Sequence, residues 1–339
     1  MQMNQTGLLM RHLGGLCCRL GVSFGLGLAM AGTGVALAAE DYPAKTVRIV
    51  VPYPPGGFND TLARTVGDRL SKAWKQPVVV DNRPGGNTVL GNSLVAKSAP
   101  DGYTILITPL PFSALPSLYG AKLPYDALKD FTPLVWAGST QNALVVRPEL
   151  GIGGVRELIE FAKKNPGKLN FGSTGSGSSN HLSMELFMSM TGTKLTHVPY
   201  KGSAPAVMAM LGGEIDVLFD NVPNVMQQIK AGKLKPLAVT GTSRAALLPE
   251  TPTVAESGVP GYEVTVWFGM QMPAGTPKAV VSLANRDIVR ILKDPEVVKQ
   301  FRDQGVEVVA STPEGFGELL QKEVPKWTKV VNDAGVKVE

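Results

Sequence analysis

Cysteine is the first scarcity in this chain: only two occur in 339 residues, adjacent at Cys17 and Cys18. Both fall in an N-terminal segment that reads as removable. The remaining chain therefore forms no disulfide and has no thiol nucleophile or thiolate ligand. Histidine is nearly as rare, with His181 and His197 alone beyond that segment. A catalytic zinc usually takes more nitrogen or sulfur ligands than two histidines supply, so neither a metal nor another cofactor is expected. Charge is thin and dispersed. Charged residues make up 18% of the chain against 44% hydrophobic, and Lys163-Lys164 is typical of the densest basic clustering. With no concentrated basic face, nucleic acid is not an expected partner. No repeat of fixed period and no heptads occur, and the 38 glycines and 26 prolines are spread as punctuation rather than pooled.

What is present begins with an export pattern. Arg11 and Arg19 precede LGVSFGLGLAMAGTGVALAAE, which carries no charge until Glu40 and contains Ala36-Leu37-Ala38, the small-x-small pattern read by signal peptidase. Residues 1–38 read as a signal peptide, with the mature chain starting near Ala39. The alternative is a retained anchor, since the run approaches the ~20 residues that span a bilayer. Its five glycines weigh against that. Cleavage leaves 31 basic residues against 28 acidic ones, a net charge of +3.

Beyond the signal, short apolar runs alternate with helical patterns. Strands are expected at residues 47–53, 78–81, 103–108, 134–137, 143–146, 170–172, 195–199, 217–219, 237–240 and 267–272. Leu62, Val66, Leu70 and Trp74 mark one amphipathic helix, and Leu182, Leu186, Phe187 and Met190 mark another whose stripe reads as core. From Pro277 the chain reads as helical, ending around residues 325–333. This alternation predicts parallel sheets covered by helices on both faces, and ten strands suit two sheets better than one.

Two glycine-rich turns stand out. In VRIVVPYPPGGFNDTLARTVGDRL, Pro54 and Pro55 stop a strand because proline has no N–H to donate. Gly56 and Gly57 leave bare backbone, and Asn59 or Asp60 is placed to cap the helix that follows. Such a turn offers free N–H groups and the positive end of a helix dipole to an anion, although a tight βα turn without a ligand has the same pattern. The second turn, NFGSTGSGSSNHLSMEL at 170–186, adds hydroxyl donors. It is neither a Walker loop nor a dinucleotide fingerprint. Ser178 and His181 suggest a nucleophile and base, but no G-x-S-x-G elbow surrounds the serine, and the spacing also suits capping. Two such turns facing one gap can grip a small anion from both sides. Hydrogen bonds to a charged group contribute ~1.5–3 kcal/mol each, so four or five exceed the association cost and reach the ~8 kcal/mol of micromolar affinity.

From Tyr42 onward the chain resembles the solute-binding proteins of the tripartite tricarboxylate transporter family, the Bug proteins. The resemblance is carried by YPAKTVRIVVPYPPGG with Asp60, VVVDNRPGG, PDGYTILI, FGSTGSGSSNHL, HVPYKGSAPAVMAMLGGEIDVLFDN, AGKLKPLAVT, PETPTVAESGVPGYE and MPAGTPK. It implies an α/β protein with the two-lobed type II periplasmic binding fold. Each lobe would be a mixed, mostly parallel sheet flanked by helices, with a ligand cleft between the lobes. Lobe I would comprise residues 42–142 plus 262–339, and lobe II residues 143–261. The implied protein is a periplasmic, monomeric, non-enzymatic receptor that captures a small carboxylate and delivers it to integral-membrane permease subunits. The first loop would offer Tyr53, Gly57, Phe58, Asn59 and Asp60 to the ligand. The second would offer Ser173, Thr174, Gly175, Gly177, Ser178 and His181. Asp220 would either accept from the ligand or cap the helix at Pro223, and Lys201 would either add charge or stand in solvent. Many relatives carry small residues and then Ser or Thr where Phe58 and Asn59 stand. Phe58 would stack on an apolar or aromatic ligand body or pack into the hinge, which leaves organic, dicarboxylic and aromatic acids all open. The rivals are a periplasmic hydrolase or isomerase using Ser178, His181 and Asp220, and a ligand-sensing signalling protein without a transporter.

Overall fold

The computed structural model describes residues 42–336, so the signal-peptide reading lies outside the described residues. Eleven strands are found among them: β1 (Val47–Val51), β2 (Val78–Asn82), β3 (Thr104–Pro109), β4 (Phe131–Thr140), β5 (Asn142–Val146), β6 (Asn170–Ser173), β7 (Thr196–Pro199), β8 (Val217–Asn221), β9 (Lys235–Val239), β10 (Val266–Pro273) and β11 (Glu307–Val308). The helices are α1 (Phe58–Trp74), α2 (Val89–Ala96), α3 (Leu115–Tyr119), α4 (Val155–Lys164), α5 (Ser179–Thr191), α6 (Ser203–Leu211), α7 (Val222–Lys230), α8 (Lys278–Leu292), α9 (Pro295–Asp303) and α10 (Pro313–Ala334). The ten expected strands are all present, and β11, only two residues long, was not anticipated. β1 ends at Val51, two residues earlier than expected, because Pro52 already ends the ladder before Pro54 and Pro55.

The strands form two sheets, in the orders β11-β4-β10-β3-β1-β2 and β7-β6-β8-β5-β9. Both are mixed, but they are not mostly parallel: four strand pairings are parallel and five antiparallel. The reason lies in the connections. β4 leaves the first sheet and β5 enters the second after Gln141 alone, and β10 returns to the first sheet between β3 and β4. Chain segments that pass between sheets insert against their neighbours, whereas βα crossovers keep strands parallel.

Packing explains the helices. Leu62, Val66 and Leu70 of α1 are buried against β1, where Gly67 gives the close approach to Ile49 and Val78. In α5, Leu182 and Phe187 are buried, but Met190 is 41% exposed, so the apolar stripe leaves the core one turn before the helix ends. The C-terminal helix α10 packs on β4 and also on α5 beside the second sheet. Around it, one apolar cluster joins Phe112, Leu144, Phe187, Trp267 and Trp327. The indole N–H groups of Trp267 and Trp327 both donate to the buried Glu323, at 3.2 and 2.7 Å, which satisfies polar groups that would otherwise be costly inside that cluster. Among the described residues no helix is long and apolar enough to cross a membrane.

Candidate functional site

In the second sheet β6, β7 and β8 run parallel, so their C-terminal ends lie along one edge. Each is followed by a helix, α5, α6 and α7 respectively, whose N-terminus therefore opens at that same edge. β1 and α1 repeat the arrangement in the first sheet. Four helix N-termini consequently line one cavity of about 870 Å³, through Gly57 to Asn59, Ser178 to Asn180, Gly202 and Ser203, and Asn221 with Asn224. A crevice at the carboxyl ends of parallel strands is the usual binding place of open α/β sheets. Three of the four caps, those of α1, α6 and α7, have no side chain bonded to the helix. At α1 the leading N–H groups are left to whatever enters, whereas at α7 the Asn221 and Val222 N–H groups already donate to Asp220 and to the Gln141 carbonyl, and Pro223 has none.

The first turn is built for this. Gly57 is the N-cap of α1, at φ −86° and ψ 173°, and a Cβ there would meet nothing within 4 Å. The sequence reading makes Asn59 or Asp60 the cap of the helix, but both lie inside its first turn and the N-cap is Gly57. Asp60 acts from inside the first turn and reaches back to accept from the Gly56 N–H at 3.1 Å. It also accepts from Arg64 at 2.9 Å and Asn82 at 3.0 Å. Burial alone would raise this carboxyl, but these bonds together outweigh it and hold the group below its ordinary range. Asp60 is buried behind the turn and does not line the cavity. The N–H groups of Gly57, Phe58 and Asn59 have no acceptor among the described residues. The buried side-chain oxygen of Asn59 likewise lacks a donor among them.

The Phe58 ring packs on Phe268 at 4.6 Å and Phe301 at 5.0 Å, and it also forms part of the cavity wall.

The second turn is held from behind by two stacked imidazoles. His181 and His197 lie 3.9 Å apart with an interplanar angle of 7°. His181 Nδ1 accepts from the Gly177 N–H at 3.0 Å, which leaves Nε2 to donate to Glu185 at 3.1 Å. Ser173 Oγ lies 2.6 Å from His197 Nε2 and accepts from the Gly175 N–H at 3.1 Å. Burial, with His181 beside it, brings the His197 imidazole down to about 4, so the ring that shares a hydrogen bond with Ser173 is neutral. Ser173, Gly177 and His181 thus shape the loop without lining the cavity, whereas Thr174, Gly175 and Ser178 line it. Asn180 fixes the loop further, accepting from Thr174 at 2.7 Å and donating to the Phe219 carbonyl at 2.8 Å.

The turns belong to one site. Asn87, with a left-handed φ of 50°, donates from its amide to the Ser176 carbonyl at 3.2 Å, joining the first-sheet loop after β2 to the second glycine turn. Gly177, at φ 77°, is closely covered: a Cβ there would lie 2.6 Å from Leu118 Cδ1 and 3.2 Å from Asn87 Nδ2. Neither Asn87 nor His197 was singled out as a site residue, since a polar residue after paired glycines and an isolated strand histidine give no local pattern.

Asp220 lines the cavity, but its oxygens are engaged. It accepts from Ser203 at the start of α6, from the Asn221 N–H at 2.7 Å, and from Asn224 at 3.0 Å. It therefore ties Ser203 of α6 to Asn221 and Asn224 at the start of α7, without capping either helix. Burial pushes its carboxyl upward despite these bonds. Lys201 lines the cavity beside Gly202 and forms no ion pair among the described residues. Ser178, His181 and Asp220 do not form a relay. Ser178 Oγ accepts from the backbone of His181, whose ring faces Gly177 and Glu185, and Asp220 bonds elsewhere.

Known proteins match this architecture along its length. The family model described as tripartite tricarboxylate transporter family receptor, TctC, matches residues 62–336. Protein BugT of Bordetella pertussis is 37% identical over 325 residues, covering 95% of this chain and 99% of that one. A protein encoded in the tcbD-tcbE intergenic region of Pseudomonas sp. strain P51 is 37% identical over 309 residues, covering 91% and 92%. Among solved structures, Rpa4515 of R. palustris with adipate superposes at a TM-score of 0.77 with 37% identity, over 88% of this chain and 100% of that one. MatC of Rhodopseudomonas palustris with bound malate gives 0.75 with 30% identity, over 86% and 100%. The two sheets, the cleft with its glycine turns and this full-length similarity agree, and the chain belongs to the TctC family of tripartite tricarboxylate transporter receptors.

Proposed function

We propose that the protein is an extracytoplasmic receptor that binds a small carboxylate between its two lobes and presents it to membrane permease subunits. The observation that carries this reading is the convergence of four helix N-termini, three without side-chain caps, on one cavity between the sheets. Adipate and malate in two related structures support a carboxylate as the ligand class. The ligand would bridge main-chain donors of Gly57, Phe58 and Asn59 to those of Ser179 and Asn180, with the Ser178 and Thr174 hydroxyls alongside. Asp60, Ser173, Gly177 and His181 would serve by holding the loops in shape, and Tyr53, Gly175 and Asp220 by walling the cavity.

The lobes would divide as residues 42–142 plus 262–339 and residues 143–261, a division supported by sheet membership, which changes at Gln141 and again before Val266. Closure would bring the lobes together over the ligand, exclude water and strengthen each polar contact. A non-catalytic role is supported by the dispersed Ser178, His181 and Asp220. Export to the periplasm rests on the sequence pattern of residues 1–38. A thermal-shift screen of carboxylates against their neutral amides tests the reading, since a ligand at ~100 times its dissociation constant adds ~2.7 kcal/mol of stability. Stabilisation by acids with no turnover is expected. Stabilisation by neither class, or steady consumption of the acid, would refute it.

A further inference from the structure

The cavity lining is of two chemical kinds. The glycine turns and the starts of α5, α6 and α7 supply N–H groups and hydroxyls. Phe58, Pro109, Val266, Phe268 and Val306 add apolar side chains to the same lining, beside the polar Thr140, Asp303 and Gln304. The apolar residues are contiguous. Val266 and Phe268 are two apart on β10, so both point to one face of the sheet. Phe268 pairs in register with Pro109, touches Phe58 at 4.6 Å, and shares an apolar cluster with Val266 and Val306. The aromatic pair is tilted at 54°, and of its two rings Phe58 is the less buried. These side chains offer no partner to ligand hydroxyl groups, and a polar group pressed against them would lose hydrogen bonds to water without replacement.

We infer that the ligand is a carboxylic acid with an apolar body of about ring size, and that the Phe58 side chain is a specificity-determining contact for that body. The inference rests on the carboxylate-receptor reading and adds to it what the far end of the ligand must be. The polar loops hold the carboxylate, while the hydrocarbon of the ligand lies on the Phe58–Phe268 wall and leaves water on closure. Phe58 suits the role because it is the half-buried member of the group, whereas Phe268, Val266 and Val306 are buried within the core.

The test is calorimetric titration of the mature chain with benzoate and with glycolate, for the wild type and for Phe58→Ala and Phe58→Leu. The wild type is expected to bind benzoate at least ~10-fold more tightly than glycolate. Phe58→Ala should reduce that benzoate-to-glycolate ratio by ~10-fold, whatever it does to the absolute affinities, and Phe58→Leu should keep it within ~3-fold by restoring hydrocarbon. Glycolate binding as tightly as benzoate, or a ratio untouched by Phe58→Ala, would overturn the inference while leaving the receptor reading intact. Binding of neither acid, together with failure of every carboxylate in the thermal-shift screen, would remove the receptor reading and this inference with it.

Discussion

Substituting Gly57 by valine separates the binding role of the first turn from its folding role. Gly57 sits at φ −86° and ψ 173°, extended backbone that a β-branched residue adopts readily, and a Cβ there meets no atom within 4 Å. The structural cost is confined to a poorer N-cap, at most ~1 kcal/mol, or a fall in Tm of ~2–4 °C. The open space into which the new side chain projects borders the cavity, in front of the free N–H groups of Gly57, Phe58 and Asn59. Screening two of these from a carboxylate removes two hydrogen bonds to a charged group, ~3–6 kcal/mol, which weakens binding ~10²–10⁴-fold. Titration calorimetry with the best acid from the screen reads the affinity, and thermal unfolding without ligand reads the fold. An affinity within ~3-fold of wild type at unchanged Tm would refute the placement of the ligand on this turn.

Other substitutions probe what surrounds it. Gly177→Ala forces an alanine to φ 77° under Leu118 and should cost ~1–2 kcal/mol in chemical denaturation, whereas Gly317→Ala, within α10 with Pro133 at ordinary contact distance, should cost nothing; equal effects would contradict the strain argument. Asn87→Ala removes the amide bond to Ser176 and should raise the dissociation constant ~2–10-fold, measured by calorimetry, with no change if this contact plays no part in closure. His197 has an ordinary value of 6.5 that falls to about 4 in the fold, so its contribution to stability is fully present above 6.5 and is lost as pH drops toward 4. Tm measured across that window should decline, and His197→Gln should flatten the decline; an unchanged slope would show that the imidazole pair does not govern it.

The parts of this architecture legible in the sequence were those with local causes. β1, β3 and β10 are apolar runs ended by proline or by polar turns, and α1 shows its buried face at four-residue spacing. Both glycine turns were readable as bare backbone between a strand and an amphipathic helix, a pattern shared with βα turns that hold no ligand. Strand direction was not readable. Whether β5 and β10 run with or against their neighbours depends on the passage at Gln141 and on the insertion of β10 between β3 and β4, neither of which leaves a periodic mark. Of the other two helix starts, the one at Pro223 reads in the sequence only as a place for Asp220 to cap, and the one at Gly202 escaped notice, for a related reason. Gly202 and Asn221 look like ordinary turn residues until the parallel run of β6, β7 and β8 gathers their helices at one edge. The resemblance offered Asp220 as a ligand contact or a cap; in the fold it lines the cavity and is nearly enclosed by the helix starts that it bonds, which no local pattern in the sequence could show.

Main-chain capture of one acid group from both sides of the cleft is most directly tested by a crystal structure of the mature chain with its best carboxylate. The carboxylate oxygens are expected within ~3.2 Å of main-chain nitrogens in both turns, at Phe58 or Asn59 and at Ser179 or Asn180. A carboxylate seated elsewhere, or held by one turn alone with the other facing solvent, would contradict it.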